Sequence, residues 1–303
     1  MHDLIIVGAG PAGLGASIYA SRYKLNHLVI GEEIGGQVVE AWEIENYAGF
    51  DSISGKELMD KFRKQTEDLG GKIVQESVRK VERTKEGFAV HADGAVHEAK
   101  ALIFALGMKP RKMNVKGEDA FLGKGVSYCA TCDAMFFRGK DVAVIGGGDS
   151  AITAAIHLGE FANKVYLLYR EKLTCEPSWV DEANGQSKLK MLCCTDIKEI
   201  KGEGAVSSIT YEENSQEKEL PVQGVFIEVG TVPGVAIAKE LGVETDEQGY
   251  IIVDQTQETS VPGVWAAGDV TTGSNKFRQI ITAVAEGAVA AGSIYKKLKI
   301  NKK

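Results

Sequence analysis

Leu4-Ile5-Ile6-Val7-Gly8-Ala9-Gly10-Pro11-Ala12-Gly13 is the stretch from which the fold is read. Four apolar residues run into a glycine loop, and a helical pattern follows from Leu14 to Tyr23. Val29-Ile30 then ends a second strand, with Glu32-Glu33 behind it. Each glycine answers a separate need. The first makes a tight turn, the second lets the backbone approach a pyrophosphate, and the third lets helix and strand pack closely. The helix N-terminus faces the phosphates. An acidic residue about twenty positions on, Glu32 or Glu33, suits a ribose diol. The stretch therefore predicts a dinucleotide-binding unit with Gly8, Gly10, Pro11, Ala12 and Gly13 at the ligand.

The same pattern returns further along. Asp141-Val142-Ala143-Val144-Ile145 reads as a strand, Gly146-Gly147-Gly148-Asp149-Ser150-Ala151 as the loop, 152–161 as a helix and 165–168 as the next strand. Gly8, Gly10, Gly13 and Glu33 each have a counterpart 138 positions on, at Gly146, Gly148, Ala151 and Glu171. A whole nucleotide-binding unit is thus repeated. Two bound nucleotides imply electron transfer between them. The fold class expected is α/β with two Rossmann-like, three-layer ββα units.

Between the repeats lies Cys129-Ala130-Thr131-Cys132-Asp133. Two cysteines separated by two residues can close a disulfide that accepts electrons readily. The following carboxylate can give a proton to a leaving thiolate. A structural zinc wants about four ligands, and no second such pair is present. Cys193-Cys194 is the other cluster, and neighbours on a strand point to opposite faces. Together with Cys175 these two read as packing or surface thiols.

Composition excludes several classes. The chain has 303 residues, 44% hydrophobic and 25% charged, enough for two ordinary globular domains. A net charge of −7 argues against a nucleic-acid or membrane-surface partner. The opening apolar run is too short for a signal peptide or a membrane span, which predicts a cytoplasmic protein. Five cysteines there are not a disulfide framework.

The remaining elements are coarser. A helix is expected over 51–70 and β-meanders over 72–98 and 186–230. Strands are expected at 100–105, 251–254 and 259–269, the last ending in Gly268-Asp269. A helix over 278–297 should carry Arg278-Gln279 in its first turn. Polar stretches at 111–119 and 241–249 read as the connections between domains.

With Gly8 to Gly13, Gly35-Gly36-Gln37, Glu45-Asn46, Cys129 to Asp133, Gly146 to Ala151, Gly268-Asp269 and Arg278-Gln279 in this order, the chain resembles the low-molecular-weight thioredoxin reductases over nearly all its length. The resemblance implies an FAD domain in two pieces, 1–114 and 245–303, with a pyridine-nucleotide domain, 115–244, inserted in it. FAD would lie on the first loop and on Glu32, Glu33, Gly36, Gln37, Asn46, Gly268, Asp269, Arg278, Gln279 and Ile280. NADH or NADPH would lie on Gly146, Gly148, Asp149, Ser150, Ala151, Arg170 and Glu171. Cys132 would face the flavin, Cys129 would attack the disulfide of thioredoxin or a related small redox protein, and Asp133 would be the acid–base. Larger relatives use a histidine near the C-terminus. Here the histidines are His2, His27, His91, His97 and His157, so another donor is needed. The resemblance also implies a homodimer, and interdomain rotation on the two connections. The different-class alternative is a flavin-binding regulatory protein without turnover.

One region departs from the family pattern. NADPH users carry His-Arg-Arg-x-x-Phe-Arg-Ala, where this chain has Tyr169-Arg170-Glu171-Lys172-Leu173-Thr174-Cys175-Glu176. A 2′-phosphate wants arginine forks. Only Arg170 remains, and Glu171 suits a free 2′-hydroxyl. Two readings stay open besides plain NADPH use: NADH as donor, or a degenerate site with reduced ferredoxin supplying the flavin. Leu106, where the family often has Thr, is a milder departure.

Overall fold

The structure, a computed structural model, describes residues 1–300. The chain divides into two units, Met1–Lys109 together with the chain from Pro233 onward, and Pro110–Val232. Both are Rossmann-like α/β units, and the second is inserted in the first.

In the first unit five parallel strands run in the order Lys72–Val74, His27–Ile30, His2–Val7, Val96–Phe104, Val264–Ala266. The long strand Val96–Phe104 serves twice. Its last residues sit in the parallel sheet, and its first pair antiparallel with Phe88–Ala92, which pairs with Val78–Arg83. Side chains alternate across the sheet. Leu4 and Ile6 enter the core under helices Pro11–Arg22 and Ile280–Ile300, while Ile5 and Val7 enter the core shared with the meander. Both faces are covered, so an unbroken apolar run is what this strand requires.

The second unit repeats the plan. Its parallel order is Leu189–Cys193, Lys164–Tyr169, Asp141–Ile145, Gly224–Ile227, Val126–Ser127. Its meander is Thr195–Gly202, Val206–Glu213, Gln216–Pro221. Helix Asp149–Phe161 covers the other face. One edge is reached differently. The position held in the first unit by Val264–Ala266, late in the chain, is held in the second by Val126–Ser127, ahead of its nucleotide loop. Within the second unit the entering and leaving segments meet, with the Arg111 N–H on the Gly230 carbonyl at 2.9 Å.

Several expectations need correction. The unit boundaries fall at 109/110 and 232/233, not at 114/115 and 244/245. Val235, Ala238 and Val243 are buried in the first unit's core, and Met113 and Val115 pack on the second's. Hydrophobic anchors thus draw both supposed connections inside a unit. Lys72–Val74 and Leu189–Cys193 are parallel edge strands rather than parts of meanders. Residues 251–254 form only isolated bridges. The strand expected over 259–269 is limited to Val264–Ala266, because Pro262-Gly263 turns the chain first and the Val264 N–H bonds back to Val261. The last helix begins at Ile280, so Arg278 and Gln279 precede it.

The helix over 51–70 is Gly55–Asp68. Ser54 caps it, accepting from the Glu57 N–H at 3.3 Å and donating to Glu57 Oε2 at 3.0 Å. Leu58, Met59 and Phe62 form its buried face, whereas Leu69 lies beyond its end and is exposed.

Helices Pro11–Arg22 and Ile280–Ile300 pack with backbone nearly touching. A Cβ on Gly287 would stand 2.1 Å from the Ala12 carbonyl oxygen. Gly287→Ala must separate the two helices. Overpacking of this kind costs about 1–3 kcal/mol, so thermal unfolding of the variant should fall by several degrees. An unchanged melting temperature would show that the helices do not depend on this approach.

Candidate active site

The first glycine loop is shaped by backbone contact. A Cβ on Gly13 would lie 1.9 Å from the Gly8 oxygen, and one on Gly8 would lie 2.1 Å from the Ala105 oxygen. Gly10 differs. The nearest atoms to its Cβ position are Gly35 O and Gly36 Cα, each at 3.9 Å. The protein's own packing does not demand glycine here. Pro11 opens the helix, where its missing N–H is not needed.

The first unit gathers the other expected residues around this loop. Gly35 donates to the Ala9 carbonyl at 2.8 Å, which sets the turn Gly36–Glu40 against Gly10. A Cβ on Gly268 would stand 2.9 Å from that of Ala12. The Asn46 side chain donates to Gln279 Oε1 at 3.3 Å. Arg278 donates to the Tyr250 hydroxyl at 2.9 Å. Ile280 packs on the small core around Leu14 and Leu58. Glu32 and Glu33 are exposed just past the strand His27–Ile30.

Asp269, at the end of strand Val264–Ala266, carries the electrostatic signal. Burial pushes its carboxyl up to about 6, with the Arg278 charge pulling it down and Glu286 adding to the rise. It shares a small cleft with Gly268, Thr271, Arg278 and Glu286. A partly buried carboxylate in this condition suits hydroxyl donors from a ligand.

Sequence reasoning missed two carboxylates here. Glu286 is 5% exposed and accepts from the Gly268 N–H at 2.8 Å and from Thr271 Oγ1 at 3.0 Å, so it sets the Gly268-Asp269 turn. Its signal was legible: one acid inside the apolar helical run Ile280 to Ala291. Glu40 ends the turn that begins at Gly36, and burial plus the Glu33 charge push it up to about 7. A short helical turn gave no pattern from which to foresee it.

In the second unit a Cβ on Gly146 would lie 2.1 Å from the Glu228 oxygen, whereas the Cβ position of Gly148 is nearly open. The loop is braced from across the sheet. Thr174 donates to Gly147 O at 2.7 Å, and the Glu176 N–H donates to Asp149 Oδ1 at 2.7 Å. Ser150 is exposed at the helix start, and Ala151 is fully buried. Arg170 pairs with Asp196 at 3.1 Å on the surface. Glu171 is exposed beside it.

Cys129 and Cys132 are joined as a disulfide. The pair follows the edge strand Val126–Ser127 and opens the short helix Ala130–Asp133. The Cys132 N–H points at Cys129 Sγ at 3.1 Å, and Ser127 Oγ accepts from the Cys129 N–H at 3.0 Å. Cys132 is exposed, while Cys129 and Asp133 are half-buried. Behind them lies a support the sequence did not reveal. Glu118 is 2% exposed and accepts from the Met113 and Val115 N–H groups and from the Tyr128 hydroxyl. Tyr128, next to Cys129, is thereby tied to a buried carboxylate. Met135 and Phe136, just beyond, are exposed.

The adjacent cysteines depart from expectation. Cys193 ends its strand, but Cys194 leaves it with φ at 61°, and the two sulfurs lie 2.6 Å apart. Alternation across a sheet no longer applies once the second residue has turned.

The pyridine nucleotide-disulphide oxidoreductase family profile matches residues 2–287. The chain is 40% identical to the thioredoxin reductase of Listeria innocua, over 98% of this chain and 93% of that protein. It is 39% identical to the thioredoxin reductase of Bacillus subtilis, over 97% and 94%. The crystal structure of T. acidophilum thioredoxin reductase superposes with a TM-score of 0.93 at 39% identity, covering 98% of this chain and 99% of that one. The chain belongs to the pyridine nucleotide-disulphide oxidoreductases, and within them to the low-molecular-weight thioredoxin reductase family.

Proposed function

We propose that this protein is an FAD-dependent thioredoxin-disulfide reductase whose electrons come from NADH. The observation that carries the reading is the Cys129–Cys132 disulfide, placed at the start of a helix with the Cys132 N–H on Cys129 Sγ. That N–H stabilises negative charge on the Cys129 sulfur once the bond opens.

The first unit fits FAD. Gly10 keeps open backbone where a pyrophosphate would approach, and Asp269 offers a partly buried carboxylate in the cleft it shares with Gly268 and Arg278. We assign Gly8 to Gly13, Gly36, Gln37, Asn46, Asp269 and Arg278 to Ile280 to the flavin nucleotide, with Glu32 and Glu33 near its ribose. FAD, when bound, supplies the two-electron exchange between the nicotinamide and the disulfide.

The chain's own chemistry follows. Electrons arriving at Cys132 break the bond to Cys129, whose thiolate attacks one sulfur of the substrate disulfide. Asp133 gives a proton to the displaced substrate thiolate. Cys132 then attacks Cys129, releases the second substrate thiolate and restores the starting bond. Exposed Met135 and Phe136 offer apolar surface for thioredoxin beside the pair. We take the working species to be a homodimer in the cytoplasm. Among the described residues no helix is long and apolar enough to cross a membrane.

NADH is favoured because Glu171 is exposed at the loop and Arg170 already faces Asp196. Charge-assisted bonds to a 2′-phosphate are worth about 1.5–3 kcal/mol each, and Arg170, the one arginine in this stretch, is already paired with Asp196.

Three results are expected. Under anaerobic mixing NADH should bleach the flavin at concentrations roughly tenfold or more below NADPH; bleaching by reduced ferredoxin alone would overturn the donor assignment. Asp133→Asn should slow thioredoxin turnover about a hundredfold while flavin reduction by NADH proceeds as before. Unchanged turnover would remove Asp133 from the mechanism. The third concerns Asp269, which burial holds near 6, against 3.8 for an ordinary Asp. Flavin hydroxyls need its ionised form, so titrated FAD affinity should drop as pH falls through about 6. The sign for folding of the flavin-free protein is opposite. A raised folded value contributes stability that is complete below 3.8 and lost as pH rises through about 6. Flavin affinity flat across that range would exclude Asp269 from the site.

A further inference from the structure

Cys193 and Cys194 lie where the second unit's sheet meets its nucleotide loop. Cys193 is in register with Tyr169, the residue before Arg170 and Glu171. Its thiol donates to the Glu171 carbonyl at 3.2 Å. Cys194 is exposed, and its sulfur is 2.6 Å from that of Cys193. No third His, Cys, Asp or Glu joins them as a metal-ligand group among the described residues. Two sulfurs without further ligands suit two-electron chemistry better than a metal.

We propose that Cys193 and Cys194 form a peroxide-oxidisable thiol pair, and that the vicinal disulfide it forms weakens pyridine-nucleotide binding at the adjoining loop. The second half of this rests on the nucleotide site assigned above; the first does not. The step balances with hydrogen peroxide as oxidant. The Cys194 thiolate attacks one peroxide oxygen, the O–O bond breaks, and hydroxide leaves and takes up a proton to become water. Cys193 then attacks the resulting sulfenic acid, and a second water leaves as the S–S bond forms. In sum two thiols and one peroxide give one disulfide and two waters.

The sulfurs need to approach by only about half an ångström to reach a bond length near 2.05 Å. The turn at Cys194 has already brought them to one side. The hydrogen bond with Cys193 holds the Cys194 thiol up from its ordinary value, so attack waits on loss of that proton and the pair oxidises slowly. A disulfide between adjacent residues closes a small strained ring, and strained disulfides are the reducible ones. The modification is therefore reversible by dithiols. Its effect on the loop is direct. Forming the bond consumes the thiol hydrogen that Cys193 gives to the Glu171 carbonyl, and the backbone beside the ribose contact loses its tether.

Peroxide treatment of the full-length holoprotein, followed by alkylation and peptide mass mapping, is the test. The peptide carrying both cysteines should lose two hydrogens, refuse the alkylating reagent, and recover both thiols with dithiothreitol. NADH affinity measured by fluorescence titration should weaken about threefold to tenfold on oxidation. It should be insensitive to peroxide in Cys194→Ser. Cys193→Ser keeps a hydroxyl donor for the Glu171 carbonyl, so it should bind NADH as the untreated protein does and also ignore peroxide. Two free thiols after treatment, or overoxidation to sulfinic acid without a disulfide, overturn the proposal. A disulfide with unchanged NADH affinity overturns its coupling to the loop. Untreated protein that binds no NADH at all would instead refute the donor assignment, leaving the mass result to judge the thiol pair.

Discussion

Both nucleotide loops depend on backbone lying against backbone with no side chain between. Gly13 over the Gly8 carbonyl, Gly8 over Ala105 and Gly146 over Glu228 leave about 2 Å for a Cβ that needs well over 3 Å. The Gly13 contact seats the first helix on its loop, and the Gly8 and Gly146 contacts press each loop on the end of a neighbouring strand, which aims the helix start at the strand ends. At Gly10 and Gly148 a Cβ would meet only ordinary contacts, the nearest atoms at 3.9 Å and 3.8 Å, so the protein's own packing does not demand glycine there. The glycines thus differ in kind: tight backbone contact at Gly8, Gly13 and Gly146, and loose packing at Gly10 and Gly148.

That contrast explains how much was legible. Strand, loop and helix in each repeat were read correctly because a fixed spacing of glycines and an unbroken apolar run have few other meanings. Hydrophobic alternation does not name a strand's partner. Lys72–Val74 and Leu189–Cys193 therefore looked like members of a meander, although they extend the parallel sheets. The polar look of 241–249 hid Val243, which is buried in the first unit's core with Leu241 packed beside it. Cys194 escaped for a related reason. A left-handed backbone at a non-glycine residue leaves little trace in the sequence.

The expected site residues were named by motif, whereas their supports were passed over. Asp269 and the glycines announce themselves by position. Glu286, which fixes the turn bearing Asp269, and Glu118, which ties down Tyr128 beside Cys129, are buried acids that satisfy backbone N–H groups. Removing either would strand donors that cost about 1–3 kcal/mol each when left unpaired. Such residues contribute geometry through their neighbours, and a sequence pattern built on ligand chemistry passes over them. The same edge position of the sheet leads to Asp269 in one unit and to Cys129 in the other.

The meeting of Arg111 with Gly230 bears on how such a chain assembles. The first unit is interrupted by residues 110–232, and joining its halves across an unfolded segment of that length would carry a closure entropy of about 4 kcal/mol. Once the inserted unit has folded, its ends are a hydrogen bond apart, and the interruption shrinks to a short staple. Chain entropy therefore favours an order of events in which the middle of the polypeptide is completed before the two ends of the sequence find one another.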